Sequence, residues 1–198
     1  MPFLRYLILV VNVLFMTIAM GQTTDSLSRG NSKGYGTIAV GVSGAYSENS
    51  TGDYKNSFYP MLYLSIGYNQ SINKDVSIGI QAPFSFFVLN GFNNIASQFG
   101  GFALVNFGNC ASRENKSALG FFLGPGILSH YADITHYDVD PPPPPMRITG
   151  LAYQAGLRFG LKEDRKAGIS VQFIYGTDFH VSGKKLYDVK IAVSGIFD

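Results

Sequence analysis

Between residues 76 and 86 the chain alternates without a break. Val76, Ile78, Ile80, Ala82, Phe84 and Phe86 fall on one parity, and Ser77, Gly79, Gln81, Pro83 and Ser85 on the other. Residues 151–161 repeat the pattern. Leu151, Tyr153, Ala155, Leu157, Phe159 and Leu161 stand against Ala152, Gln154, Gly156, Arg158 and Gly160. Successive side chains point to opposite faces only on a strand, so both segments are strands between two different environments. The less apolar face is small and mostly uncharged, which an ordinary soluble surface is not. Charged residues make up only 14% of the chain, against about 25% in soluble domains. Yet the mean hydropathy is only +0.12, too low for a bundle of membrane helices. A closed sheet satisfies both facts if one face meets lipid and the other lines a narrow interior.

Six further segments carry weaker alternation: residues 35–46, 58–69, 99–108, 119–129, 169–179 and 186–197. In 99–108 apolar residues fall on both parities. Each segment is about ten residues long, the length a tilted strand needs to cross a bilayer. The expectation is an all-β fold, an eight-stranded antiparallel up-and-down transmembrane β-barrel spanning residues 34–198. Polar turns at 70–74, 109–117 and 162–166 are expected on the periplasmic side. Longer loops at 47–57, 88–98, 131–147 and 180–185 are expected outside, and an even strand number returns both termini to the periplasm. Aromatic residues fall near the expected strand ends. Tyr35, Tyr68, Phe107, Phe121, Phe159 and Phe197 would form the inner girdle, and Tyr46, Phe58, Phe86, Phe99, Tyr175 and Tyr187 the outer one. A soluble ligand-binding barrel is the alternative, but it would place Val, Ile, Leu and Phe inside and charges outside.

Residues 1–21 read as a cleaved secretory signal. Arg5 is the basic start, residues 7–18 are the apolar core, and Ala19 and Gly21 are the small residues before the cut. Residues 22–33 are polar and are expected to be a flexible periplasmic segment. Asp25-Ser26-Leu27 matches a short bacterial O-glycosylation signal, and Asn49-Ser50-Thr51 reads as an ordinary polar loop. Net charge is +2 with no basic stripe, which argues against a nucleic-acid partner. Cys110, the single cysteine, reads as a turn residue, with a reactive thiol as the alternative.

Three groups of residues are candidates for function. Tyr63, Gln81, Gln154, Arg158, Gln172, Asp188 and Lys190 lie on the inward parity and should form a lumen polar network. Eight strands leave an interior that side chains just fill, and a charge there needs a partner. The alternative for this group is a small gated pore or a ligand cavity. His130 and His136 with Asp133 and Asp138 are expected in the third outer loop, and His180 in the fourth. They suggest a surface metal site or acid–base set. Neighbours on a strand face opposite ways, so Ser129-His130 cannot make a dyad, and no metal, cofactor or catalytic set is assigned. Pro141, Pro142, Pro143, Pro144 and Pro145 form a stiff rod of roughly 15 Å that cannot extend a sheet. It reads as a rigid loop or as a docking element for an envelope protein partner.

Gly67-Tyr68-Asn69-Gln70, Gly156-Leu157-Arg158-Phe159-Gly160-Leu161 and the final Val193-Ser194-Gly195-Ile196-Phe197 carry a resemblance. With the leader and the Gly-rich strands, they resemble small outer-membrane β-barrel proteins of the OmpA/OmpX type and the barrel-domain families of Bacteroidota. The resemblance implies an outer-membrane location and supplies no catalytic signature. The leading expectation is a non-enzymatic barrel with a structural, adhesion or accessory role through its outer loops. A pore or a lipid-modifying enzyme are the other classes.

Overall fold

The structure is a computed structural model that describes residues 34–48, 57–89, 94–111, 115, 117–134, 145–161 and 167–197. Eight strands follow one another: β1 Gly34–Glu48, β2 Ser57–Ser71, β3 Val76–Leu89, β4 Asn94–Gly108, β5 Leu119–Ile134, β6 Met146–Gly160, β7 Ala167–Thr177 and β8 Lys185–Phe197. Each pairs antiparallel with its neighbours in sequence, and β8 pairs with β1 to close the barrel. Closure leaves no edge in the body of the wall, so nearly all backbone groups there can pair within the sheet. The leader, residues 22–33, both glycosylation-like sites, His136, Asp138 and Pro141 to Pro144 lie outside the described residues.

One barrel end carries Gly34 and Phe197 and is called the near end here; the other is the far end. Two near-end turns are tightly tied. Asn73 Oδ1 accepts from the amides of Asp75 and Val76, both at 2.8 Å. Asn115 Nδ2 reaches across to Asp75 Oδ1 at 2.8 Å, joining the β2–β3 and β4–β5 turns. Gly108 has φ 61, a left-handed conformation that glycine adopts without strain, and it turns the chain out of β4.

The alternation read from the sequence is the barrel's own division into wall and lumen. Val40, Val42, Leu62, Ile78, Ile80, Leu151, Tyr153, Ile191 and Val193 stand exposed on the outer wall. No soluble barrel survives with that surface, and a hydrocarbon surround removes the cost. The ambiguity of 99–108 has a steric cause. Phe99, Gly101, Ala103 and Val105 face out, while Phe102 and Leu104 fill the lumen beside Phe122. Apolar residues on both parities are what a packed interior requires.

Three expectations are corrected. Tyr35 is not a girdle residue. It shares parity with Ala39 and Ser43, is 2% exposed, and bonds Ser77 Oγ at 3.1 Å and the Cys110 carbonyl at 2.5 Å inside the barrel. His130 is not in an outer loop. It is a lumen residue of β5, 1% exposed, so it cannot join a surface metal site. Strands also run further at the far end than the alternation suggested: β3 to Leu89, β4 from Asn94, β5 to Ile134 and β6 from Met146. There several of the outward residues are polar, among them Ser97, Ser129, Arg147 and Thr149. The hydrophobic signal fades while strand pairing continues. A 15-residue strand at about 3.3 Å per residue and about 40° of tilt rises about 38 Å, against an apolar band of about 25 Å. The surplus projects beyond the apolar band at the far end.

Candidate functional site

The inward polar residues gather at three heights. Midway, Gln154 Nε2 donates to Gln81 Oε1 at 2.7 Å and to Gln172 Oε1 at 3.0 Å. Gln81 Nε2 donates to Ser65 Oγ at 2.6 Å, and the Tyr63 hydroxyl donates to Gln172 Oε1 at 3.1 Å. Amide side chains carry donor and acceptor together, so they tile a narrow lumen without charge. Nearer the far end, Lys190 Nζ lies 2.5 Å from Asp188 Oδ2, and both side chains are fully buried. Lys190 also donates to Ser85 Oγ at 2.9 Å and sits 4.7 Å from the Tyr63 ring centroid. Gln98 Nε2 adds a bond to Asp188 Oδ2 at 2.6 Å. A pair this enclosed holds only because further hydrogen bonds support it.

Arg158 is at the near end, away from Asp188. Its Nη1 donates to Asn109 Oδ1 at 2.6 Å and to the Asn109 carbonyl at 3.1 Å, and its Nε to Ser194 Oγ at 2.9 Å. The structure therefore divides the seven inward residues. Tyr63, Gln81, Gln154 and Gln172 join Lys190 and Asp188 through Tyr63, and Arg158 belongs to a separate near-end group. Beside that group Asn106 Nδ2 bonds Asn69 Oδ1 at 2.8 Å and Ser77 Oγ at 3.2 Å. Between the near-end and middle groups is a cavity of about 60 Å³, bordered by Asn69, Gln81, Asn106, Arg158 and Gln172. That is room for a few waters, not for a conduit.

Apolar side chains share this part of the lumen with the ion pair. Leu128, Ile148, Ile174 and Leu186 are almost fully buried, in one cluster with Met61 and Met146, and Ile174 stands directly across the ladder from Asp188. Together with the buried Ser47, Asn94, Gln98 and His130 they fill the lumen toward the far end. Cys110 closes the near end in the turn after β4. Burial pushes its thiol up to about 12, with Arg158 working the other way, so a reactive thiolate is absent at neutral pH.

Gln98, Ser85, Asn69, Asn106 and Asn109 also line the interior but were not singled out from the sequence, and His130 was singled out only as a loop residue. For Gln98 and His130 the signal existed. Both continue the inward parity of Phe102 and Phe122, and they were lost because 94–98 and 130–134 read as loop. Ser129 faces out and bonds Thr149 Oγ1 at 3.0 Å, on the opposite face from His130.

The far rim is the other candidate surface. Pairing of β2 with β3 ends at Leu62↔Phe86, and that of β6 with β7 ends at Ala152↔Gly176. The rim thus splits into two lobes. The β6 edge so exposed is capped by the β7–β8 turn. The Phe179 amide donates to the Thr149 carbonyl at 2.9 Å, and Asp178 Oδ2 accepts from the Thr149 amide at 2.9 Å. Asp178 Oδ1 takes the amides of His180 and Val181 at 2.7 and 2.9 Å. Partial burial raises the Asp178 carboxyl, but these amides and Lys184 outweigh it and hold it below its ordinary value. Arg147 lies 5.3 Å over the Tyr131 ring, and Lys184 Nζ reaches the Arg147 carbonyl at 3.5 Å. Tyr175, Tyr187 and Tyr46 pack in a row at 5.4 and 6.2 Å just below this rim. Pro145 is exposed at the start of β6, and His180 is exposed in the capping turn.

Neither a protein family nor a curated protein matches the sequence. Solved structures do. Ail, the attachment invasion locus protein of Yersinia pestis, matches at a TM-score of 0.55 and 16% identity, over 83% of this chain and 99% of that one. Its complex with the heparin analogue sucrose octasulfate matches at 0.53 and 15%, over the same shares. Neisserial surface protein A matches at 0.48 and 13%, over 84% of this chain and 99% of that one. At these identities the likeness is one of fold: this chain has the architecture of small outer-membrane β-barrels.

Proposed function

We propose that this chain is an exported outer-membrane barrel that acts through its far rim and loops as an attachment or accessory component. The observation that carries this reading is the filled lumen, in which the buried Lys190–Asp188 pair is packed among Leu128, Ile148, Ile174 and Leu186. A barrel filled by its own side chains offers a solute no path, so recognition falls to the end whose strands project. In this reading residues 1–21 are removed on export, residues 22–33 lead into the barrel from the periplasm, and the near end with both termini is periplasmic. The inward polar residues are structural: they fix the packing of the lumen and touch no ligand. No chemistry is assigned, so the chain is not read as an enzyme.

β5 and β6, the strands that the segment holding Pro141 to Pro145 connects, run on at the far end to Ile134 and from Met146. A stiff proline rod loses little entropy on binding, which suits it to an envelope protein partner. Purification in mild detergent tests this. A stoichiometric envelope protein should accompany the wild type and be lost when residues 141–145 are replaced by Gly and Ser. An isolated barrel in both cases contradicts the docking role. The pore reading has no specific observation in its favour, because the cavity between the polar groups is only about 60 Å³.

A further inference from the structure

Proline has no N–H, and two prolines sit in mid-strand on either side of β4: Pro83 in β3 and Pro125 in β5. Pairing of β3 with β4 runs from Val76↔Phe107 to Gln81↔Phe102 and resumes at Phe84↔Phe99. Pairing of β4 with β5 runs down to Phe102↔Gly126 and resumes at Val105↔Leu123. The register is unchanged across both gaps, so neither is a bulge. The missing rungs are those at which Pro83 would donate to the Gly100 carbonyl and Pro125 to the Ala103 carbonyl. β4 therefore lacks one ladder bond on each edge, three residues apart, midway along the barrel wall.

The outer face at the same height is made of small residues. Ala82, Gly101, Ala103 and Pro125 point outward there, between Phe84 and Phe99 on one side and Ile80 and Val105 on the other. A methyl group built on Gly101 would meet nothing within 4 Å. The result is a groove of about 760 Å³ across β2 to β5, bordered by Ile66, Tyr68, Ile80 and Ile127. None of the residues around it is charged. Gln81 turns its amide into the lumen, and the Tyr68 hydroxyl is engaged with Gln70 at 3.4 Å.

We propose that this groove binds an acyl chain of a membrane lipid, giving the wall one preferred lipid site. The proposal rests on the membrane reading given above. At this height the surround is hydrocarbon, which can make dispersion contacts and no hydrogen bonds. A flexible methylene chain can lie along the floor of Ala82, Gly101 and Ala103. A second barrel would bring a convex wall of Val, Ile and Leu, which the flanking Phe84 and Phe99 hold off. A seated chain also restores contact to the stretch of β4 where the ladder is thinnest.

The test uses the deuterated, methyl-labelled barrel in nanodiscs of dimyristoylphosphatidylcholine. NOEs from acyl methylenes to Ala82, Gly101 and Ala103 are compared with those to Val40 and Val193, exposed on other parts of the wall. The proposal expects cross-peaks at the groove several-fold stronger than at the two valines. They should fall to the valine level in Gly101→Leu and, independently, in Ala82→Leu, each checked for folding by the gel shift of heated against unheated samples. Equal cross-peaks around the wall would overturn the groove and leave the membrane reading standing. Protein–protein NOEs at Ala103 in a mixed-label sample would also overturn it, in favour of a second copy. Acyl contacts missing everywhere, Val40 and Val193 included, would overturn the membrane reading itself.

Discussion

Lys190 and Asp188 are the residues on which the interior most depends. Each is fully buried, and each charge is tolerable only because of the other. Lys190→Met leaves the buried Asp188 carboxylate without its counter-charge and should lower stability by about 3–5 kcal/mol. Lys190→Met with Asp188→Leu should recover most of the loss, as read from urea unfolding in detergent. If the double variant is no better than the single, the pair is not the source of the cost. Asp178 makes a second residue-scale prediction, with a sign fixed by its lowered pKa. A carboxyl held below its ordinary 3.8 stabilises the fold above that pH, and its contribution is lost as pH falls through the native value. Protection of the Thr149, His180 and Val181 amides, taken relative to unstructured amides at the same pH, should be high and flat from neutral pH to about pH 5. It should then drop below 3.8, by more than at other turn amides. Protection that follows the general trend at all three sites removes Asp178 as the anchor of the capping turn.

Elements show which parts of the fold were legible and which were not. β3 and β6 could be read almost entirely, because a lipid face set against a face of Gly, Ser and Gln gives full period-2 contrast. β4 could not, since Phe102 and Leu104 are needed inside opposite a wall that is also apolar. The far ends of β3 to β6 were read as loop for a different reason. Outside hydrocarbon, a strand is held by ladder bonds and needs no apolar outward residue, so Ser97 and Thr149 gave no sign of sheet. Of the lumen residues, those within the segments read as strands were visible, among them Tyr63, Gln172, Asp188 and Lys190, while the inward places of His130 and Gln98 were lost with the strand ends. Which inward charge meets which partner was also hidden, because register around a closed barrel decides that Lys190 and not Arg158 reaches Asp188. The prolines flanking β4 give this scale its own test. Pro125 faces outward, so Pro125→Val restores an N–H to the Ala103 carbonyl without altering the lumen. Unfolding should become harder by about 0.5–1.5 kcal/mol, the worth of one hydrogen bond. Unchanged stability and unchanged exchange along β4 would show that the missing rung has no consequence.

For the molecule as a whole, the account is of a lipid-facing wall around an interior filled by its own side chains, with recognition displaced to the far rim. The wall explains the low charge of the chain, and the filled lumen explains why its inward face is Gly, Ser and Gln with one buried ion pair. The central claim is that nothing passes through. Single-channel recording from the purified barrel in planar bilayers tests it most directly. The account predicts a silent wild type at all applied voltages. It also predicts that Leu128→Ala with Ile148→Ala leaves it silent, because Lys190, Asp188 and their partners Gln98 and Ser85 still fill the lumen beside them. Reproducible conductance steps from the wild-type protein would contradict the account and return the function to the lumen.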